Sequence, residues 1–445
     1  VILHNVRIAW KSLKRNRSLS VLIVAGIALG IAVSTTFATV RHSFAKDPIP
    51  GKSRGGLYYV RMDSWDPARP YPGPDATLPP TQLTYRDMAE IMKSDIPKRQ
   101  SGTFKTALYV FPEDKTTQPF RENIRLVYSD FFPMFDVPFR YGSGWDKKGD
   151  AGPEQVVVLS EAMNDKLFGG GNSVGKTVRI SDRDFRVVGV LAHWEPSVKV
   201  FDLTQFQIDT PENIYMPFNL LKPMQLRTFG NSDGWGSSGG QTGFDGFLQS
   251  ETCWIQMWVE LPDAASLAKY KDFLAAYVME QKKHGRFQRP LNNRVSTIRE
   301  WMKDQRVVPP ETTAMLIVSL LFLAVCAVNL VGLLLGKFLA RAGEVGVRRA
   351  LGASRADIFL QHVVECELIG VVGGAIGLLL SFAALAALNA WLKTTVVNPR
   401  AAFFHLDVPM VLLSVGLSLA AGLAAGLYPA WRTCRLSPAV HLSLQ

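Results

Sequence analysis

Gly170 to Thr177, GGNSVGKT, matches the phosphate-binding loop pattern letter for letter, and Ser237 to Gln241, SSGGQ, has the wording of an ATPase signature. Together they would make the chain a nucleotide hydrolase. That chemistry needs a strand to deliver the glycines and a following helix whose N-terminal amides face phosphate. Here the order reads in reverse. Glu161 to Phe168 has a helical pattern before the loop, and Thr177 to Ile180 a strand pattern after it. The SGGQ sits in a glycine-rich run, Gly230 to Gly246, which no helix former follows. Neither motif is expected to bind nucleotide, and no residue is assigned a catalytic role. The four cysteines leave only Cys253 in the long segment between the first two apolar runs, so no disulfide framework forms there. The histidines lack ligand spacing, and no structural metal is expected.

A different constellation lies between two long apolar runs: Lys337 to Gln361, KFLARAGEVGVRRALGASRADIFLQ. Glu344 to Leu351 reads as a short helix stopped at Gly352, a residue that accepts the left-handed C-cap conformation. A second helix starts at Ser354, whose hydroxyl can take the Asp357 backbone N–H while Asp357 reaches back to Ser354. Glu344 and Arg348, four apart, share a face, with Arg349 beside them and Arg355 just past the break. The chemistry open to such a segment is charge pairing with a partner protein. The bland alternative is a basic loop that only sets topology.

The elements that position this segment are apolar. Of 445 residues 47% are hydrophobic, unevenly spread, and the length calls for at least two folding units. Leu19–Val40, Thr312–Gly336, Leu368–Leu392 and Val408–Trp431 are uncharged; the first would be about 33 Å long as a helix, enough to span a bilayer. The chain thus reads as cytoplasmic helix 1–18, transmembrane helices 19–40, 311–336, 362–392 and 408–431, an extracytoplasmic domain 41–310, a cytoplasmic loop 337–361, a short outer loop 393–407 and a tail 432–445. Residues 2–16 have the spacing of a basic amphipathic helix, with Val6, Ala9, Trp10 and Leu13 on one face. The first apolar run is expected to remain as an anchor rather than be cleaved as a signal peptide.

The net charge of +11 is not a nucleic-acid signal. Residues 47–336 hold as many acidic as basic side chains, so the excess lies in the membrane flanks. The positive-inside rule puts those flanks, and both termini, in the cytoplasm. No Asp, Glu, Lys, Arg or His falls within the four uncharged runs, whereas ion and proton paths require such groups. Small residues four apart occur in each run: Gly26/Gly30, Gly332/Gly336, Gly370/Gly374 with Gly373/Gly377, and Gly422/Gly426. They suit close helix packing.

In the long outer segment, Leu57–Met62, a helix capped by Thr84 with Asp87, and Thr103–Phe111 read as β-α-β. Cys253–Leu261, a helix capped by Asp263 and stopped at Gly285, and Arg294–Ile298 repeat that order. Between them lies an inserted subdomain, about residues 131–249, with strand Val156–Leu159, helix Glu161–Phe168 and a hairpin over Thr177–Val190. The fold class is therefore an α-helical membrane protein with four transmembrane helices and a large α+β domain between helices 1 and 2.

Gly343 to Ser354, GEVGVRRALGAS, resembles the cytoplasmic loop of MacB/FtsX-type ABC transporter permeases. Val156 to Leu191, with Tyr128 to Phe132 and Ile214 to Pro217, resembles the MacB-type periplasmic core domain; Asn5 to Val33 resembles the anchor, and Ala425 to Arg432 with Arg435 to Pro438 the final helix and tail. The resemblance implies a non-catalytic permease in the bacterial inner membrane that converts closure of an ABC ATPase into movement of its outer domain, for export or extraction by mechanotransmission. MacB itself carries a fused ATPase domain. None is read here, so the resemblance implies a separate ATPase subunit that takes ATP and Mg, a second permease identical or paralogous to this one, and a periplasmic adaptor with an outer-membrane channel. Glu344, Arg348, Arg349, Gly352, Ser354 and Arg355 are the implied ATPase-coupling residues. An FtsX-like protein that regulates a periplasmic hydrolase, or a lipoprotein-releasing permease, is the alternative.

Overall fold

The computed structural model describes residues 7–9, 17–49, 52, 56–73, 75–113, 118–152, 154–196, 198–204, 209–235, 242–395 and 404–435. SSGGQ at 237–241, the tail from residue 436 and most of the expected 2–16 helix lie outside them; residues 7–9 are helical. The described chain falls into two compact units, Lys46–Val307 and the combination of Val1–Ala45 with Val308–Gln445.

Helix α1 (Arg17–Ala45) precedes the α/β unit, which contains β1 (Leu57–Arg61), β2 (Leu83–Thr84), α2 (Tyr85–Ile91), β3 (Arg99–Phe111), β4 (Phe120–Val127), α3 (Phe131–Met134), β5 (Phe139–Gly142), α4 (Lys147–Ala151), β6 (Val156–Leu159), α5 (Glu161–Phe168), β7 (Thr177–Ile180), β8 (Arg183–Leu191), β9 (Ile214–Pro217), α6 (Gly243–Gln249), β10 (Cys253–Glu260), α7 (Ala264–Lys283), β11 (Arg294–Thr297) and α8 (Ile298–Asp304). Helices α9 (Pro310–Leu339), α10 (Ala342–Ala350), α11 (Arg355–Thr395) and α12 (Val408–Cys434) follow.

The strands run β11-β1-β10-β3-β4-β9-β6-β8-β5, with β2 on β10 and β7 bridging β3 and β8. The strands of the two expected β-α-β units interleave instead of pairing within each unit: β1 lies between β10 and β11, antiparallel to both, and β10 is antiparallel to β3 on its other side. The region expected as an inserted subdomain is not set apart. Its strands continue the same sheet, because β4 pairs antiparallel with β3 from Thr103 to Val110 and parallel with β9. Nothing in the sequence points to β4, since FRENIRLV intersperses Arg121, Glu122, Asn123 and Arg125 among its apolar residues. Local signals do act as written. Thr84 caps α2, and Asp263 caps α7, which buries Tyr270, Leu274 and Val278. Asp87 bonds the Thr84 hydroxyl at 2.7 Å instead of its backbone, and its carboxylate also holds Arg286.

Among the described residues of the helical unit, four helices are long and apolar enough to cross a membrane by length and composition: Ser18–Ala45, Pro310–Leu339, Arg355–Thr394 and Val408–Cys434. Ile23, Ile27 and Ile31 of α1 share a buried cluster with Leu323, Leu330 and Leu334 of α9 and with Ile369 and Ala421. Ser34 donates to Ser319 O at 3.0 Å, Ser381 to Ala32 O at 3.1 Å, and Ser418 to Gly370 O at 3.2 Å. These hydroxyl bonds between helices find carbonyls where no water is available to satisfy them.

Candidate coupling site

Helix α9 does not end in a loose loop. Ala340 N–H donates to Gly336 O at 3.0 Å and Arg341 N–H to Phe338 O at 3.1 Å, and α10 starts at the next residue. At its other end α10 closes in a Schellman motif. Ala353 N–H donates to Arg348 O and Gly352 N–H to Arg349 O, each at 3.1 Å, with Gly352 at φ +102° where a β-carbon would be strained. Two residues on, Asp357 N–H donates to Ser354 Oγ at 3.1 Å and Ser354 N–H to Asp357 Oδ2 at 3.1 Å, the reciprocal box that starts α11. Because α11 then runs unbroken to Thr395, the separate helical piece of the 337–361 segment is only Ala342–Ala350.

Ala342 and Gly346 of α10 are buried. The opposite face carries Gly343, Glu344, Val347, Ala350 and Leu351, all exposed, with Leu351 at 84% and Val347 at 49%. Sequence reading stressed the charges and missed this apolar pair, although the i, i+4 spacing of Val347 and Leu351 was visible. Glu344 and Arg348 do share a face, but they pair with each other at 2.8 Å, and Arg348 also donates to Gln361 Oε1 at 3.0 Å. Arg349 is half-buried and engaged within the chain; Ser354 and Arg355 are exposed.

Beneath the segment Lys337 Nζ lies 2.7 Å from Glu365 Oε1, both side chains almost fully buried, and Arg341 approaches the same oxygen at 3.7 Å. His362 packs against Phe338 with ring centroids 4.1 Å apart and the rings tilted by 36°. Lys337 and Glu365 bound two apolar runs that the expected topology brings to one membrane face, which was the available signal for their pairing.

The glycines divide. A β-carbon on Gly30 would meet Leu323, on Gly370 the Ser418 carbonyl at 3.0 Å, on Gly374 the Ser418 side chain, on Gly422 Glu367 Oε1 at 3.2 Å, and on Gly426 the Cys366 side chain. Gly373 and Gly377 stand equally close to Ile27 and Ala28 of α1. Gly26, Gly332 and Gly336 differ: an added β-carbon meets nothing within 4 Å at any of them. Gly332 and Gly336 lie on the exposed face of α9.

In the α/β unit, GGNSVGKT runs from the end of α5 to the start of β7, in the order helix, turn, strand. Its interior is filled by Ser173, which bonds Asn164. Lys176 Nζ sits over the Phe168 ring, 5.0 Å from its centroid. A buried charge network there had no sequence signal. Arg125 donates to Glu212 through Nε and Nη2, each at 2.7 Å, and to Asp202, while Lys199 bonds Glu212 at 3.2 Å and also pairs with Asp209. Burial alone would raise the Glu212 and Asp202 carboxyls, but Arg125 and Lys199 overcome it and hold both below their usual range. The described residues contain no group of three or more His, Cys, Asp or Glu side chains placed to hold a metal ion.

Four apolar helices and a mixed α/β unit inserted between the first and second define a multi-pass membrane protein with an extracytoplasmic domain. Residues 20–277 match the family model of the MacB-like periplasmic core domain and residues 316–438 that of the FtsX-like permease C-terminal region, so the chain belongs to the MacB/FtsX-type ABC transporter permeases. It is 23% identical over 453 residues to the pyoverdine export ATP-binding/permease protein PvdT of Pseudomonas syringae, covering 98% of this chain and 59% of that protein. It therefore spans about three fifths of the length of that relative. To the uncharacterized ABC transporter permease YvrN of Bacillus subtilis it is 21% identical, with 98% of each chain covered. The solved periplasmic region of MacB from Actinobacillus actinomycetemcomitans is similar over 57% of this chain and 95% of that one, at 16% identity and a TM-score of 0.34.

Proposed function

We propose that this chain is the permease subunit of an ABC exporter, and that α10 is the element through which a separate ABC ATPase, holding ATP and Mg, moves the extracytoplasmic domain. The basic flanks and both termini then lie on the ATPase side. The observation that carries the reading is the uncovered face of α10. A short helix held by hydrogen-bonded turns at both ends presents Val347 and Leu351 to solvent, a shape suited to a groove on a partner. Two further features support it. The four uncharged runs supply none of the charged groups of an ion path, and the relatives include an ABC transporter permease and export ATP-binding/permease proteins. Substrate handling outside the bilayer, a second permease copy or paralogue, and an adaptor with an outer-membrane channel complete the assembly in this reading.

The test is retention of the ATPase on the purified full chain in mild detergent. Leu351→Glu or Val347→Glu is expected to release it, since a charge placed in a desolvated interface costs about 2 to 5 kcal/mol. Glu344→Lys is expected to weaken retention while the chain still inserts, because the exposed Glu344–Arg348 pair is worth only about 0.3 to 0.5 kcal/mol to the chain itself. Full retention and activity in all three variants would reduce the segment to a topological flank.

A further inference from the structure

Resting on that coupling role, we infer that Glu365 is a positioning residue: through Lys337 and Arg341 it ties the end of α9 to α11, so that displacement of α10 passes into the bundle instead of being absorbed at the turn. Three observations converge on it. First, the connections on either side of α10 have little slack, with the Ala340–Arg341 turn on one side and the Schellman motif and capping box on the other. A push on α10 is therefore delivered to the end of α9 and the start of α11. Second, α9 and α11 are joined at that level by Lys337 to Glu365 at 2.7 Å, with Phe338 packed on His362 beside them, while Arg341 of the turn approaches Glu365 at 3.7 Å and Arg348 of α10 reaches Gln361 of α11 at 3.0 Å. Glu365 is 1% and Lys337 3% exposed. Third, stability is a poor reason for the pair. Replacing a buried ion pair by apolar side chains of similar volume is often neutral or stabilising, whereas a buried pair is well suited to specifying register between two elements. The geometry agrees, because Lys337 Nζ makes a charge contact with Glu365 without an aligned hydrogen bond, and neither ring nitrogen of His362 has a partner among the described residues.

The experiment uses the full chain with its co-purified ATPase. Ser143→Cys, at an exposed site of the extracytoplasmic domain, reports movement as the change in its labelling rate by an impermeant maleimide when Mg-ATP and orthovanadate are added. Lys337→Met/Glu365→Met removes the tie without leaving an orphan charge. It is expected to insert, retain the ATPase and hydrolyse ATP, yet to lose the nucleotide-dependent labelling change by about fivefold or more. Glu365→Gln is expected to lose it as well, and Glu365→Asp, which keeps the charge, to retain most of it. A wild-type response in the double Met variant overturns the tie. So does a loss confined to Glu365→Gln, which would trace the defect to an unpaired buried lysine. If the wild-type chain carries no ATPase, or its label does not respond, the coupling role itself fails, and this inference with it.

Discussion

Arg125 in the extracytoplasmic domain and Lys337 in the membrane unit are both buried cations, but their surroundings differ in kind. Arg125 has two carboxylates in direct contact, with Thr103 at 3.2 Å and a second cation, Lys199, on the same Glu212 Oε1 that Arg125 Nη2 bonds. Each charge has an opposite charge against which its burial is offset, and the network links β4 to Lys199, Asp202, Asp209 and Glu212. Lys337 has Glu365 in a single charge contact, while His362 and Glu367 Oε1 nearby lack hydrogen-bond partners among the described residues. Fully satisfied networks rigidify, and partly satisfied ones mark places where an alternative arrangement is close in energy. The contrast is between two clusters, one closed by several partners and one held by a single charge contact, and it implies different costs when each is cut.

The largest effect that would test this contrast is on Arg125. Arg125→Met leaves the buried Glu212 and Asp202 carboxylates with Lys199 as their remaining close cation, and is expected to cost about 3 to 5 kcal/mol. Urea unfolding of the full chain in detergent, followed by tryptophan fluorescence, measures it. Lys337→Met/Glu365→Met should cost under about 1 kcal/mol in a thermal scan of the same preparation. Equal costs for the two substitutions would erase the distinction.

Acid should separate the units in the same direction. Glu212 and Asp202 are depressed in the folded chain, so the unfolded chain binds more protons. Their stabilisation is complete above the ordinary carboxyl range and is lost as pH falls through their lowered values, from about pH 5 downward. Asp63 and Asp150, raised by burial, act oppositely on acidification. Comparing wild type with Glu212→Gln isolates the network: the stability gap between them should narrow from about pH 6 to about pH 3. A gap independent of pH would count against the assigned protonation.

A smaller effect tests packing within the membrane unit. Gly374→Leu would drive a side chain into Ser418 and is expected to cost about 1 to 3 kcal/mol, whereas Gly332→Leu meets open space and should cost near zero. Thermal unfolding in detergent reads both, and equal losses would mean that Gly332 packs as closely as Gly374. The smallest expected effect is on the nucleotide-like loop. Lys176→Ala removes a cation from over the Phe168 ring, worth about 0.5 to 1 kcal/mol at an exposed site, and should leave ATP hydrolysis by the complex unchanged. Loss of hydrolysis with the complex intact would return GGNSVGKT to consideration as a phosphate site.

Apolar run length, basic flanks, the caps at Thr84, Asp263 and Ser354, and the Gly352 stop were all legible in the sequence, because each depends on residues within a turn or two of one another. What tertiary structure decided is pairing across long separations. Strand β4 gives no local signal because its charge at Arg125 is satisfied by residues 77 and 87 positions later. The joining of the middle strands to the flanking ones depends on the parallel β4–β9 contact and on β7, which pairs with both β3 and β8. Which small-residue pairs pack, and which face of α10 stays bare, likewise depend on where the other helices lie. Gly374 and Gly332 are equivalent as letters in an apolar run; only the approach of α12 to one and the open space beside the other distinguishes them.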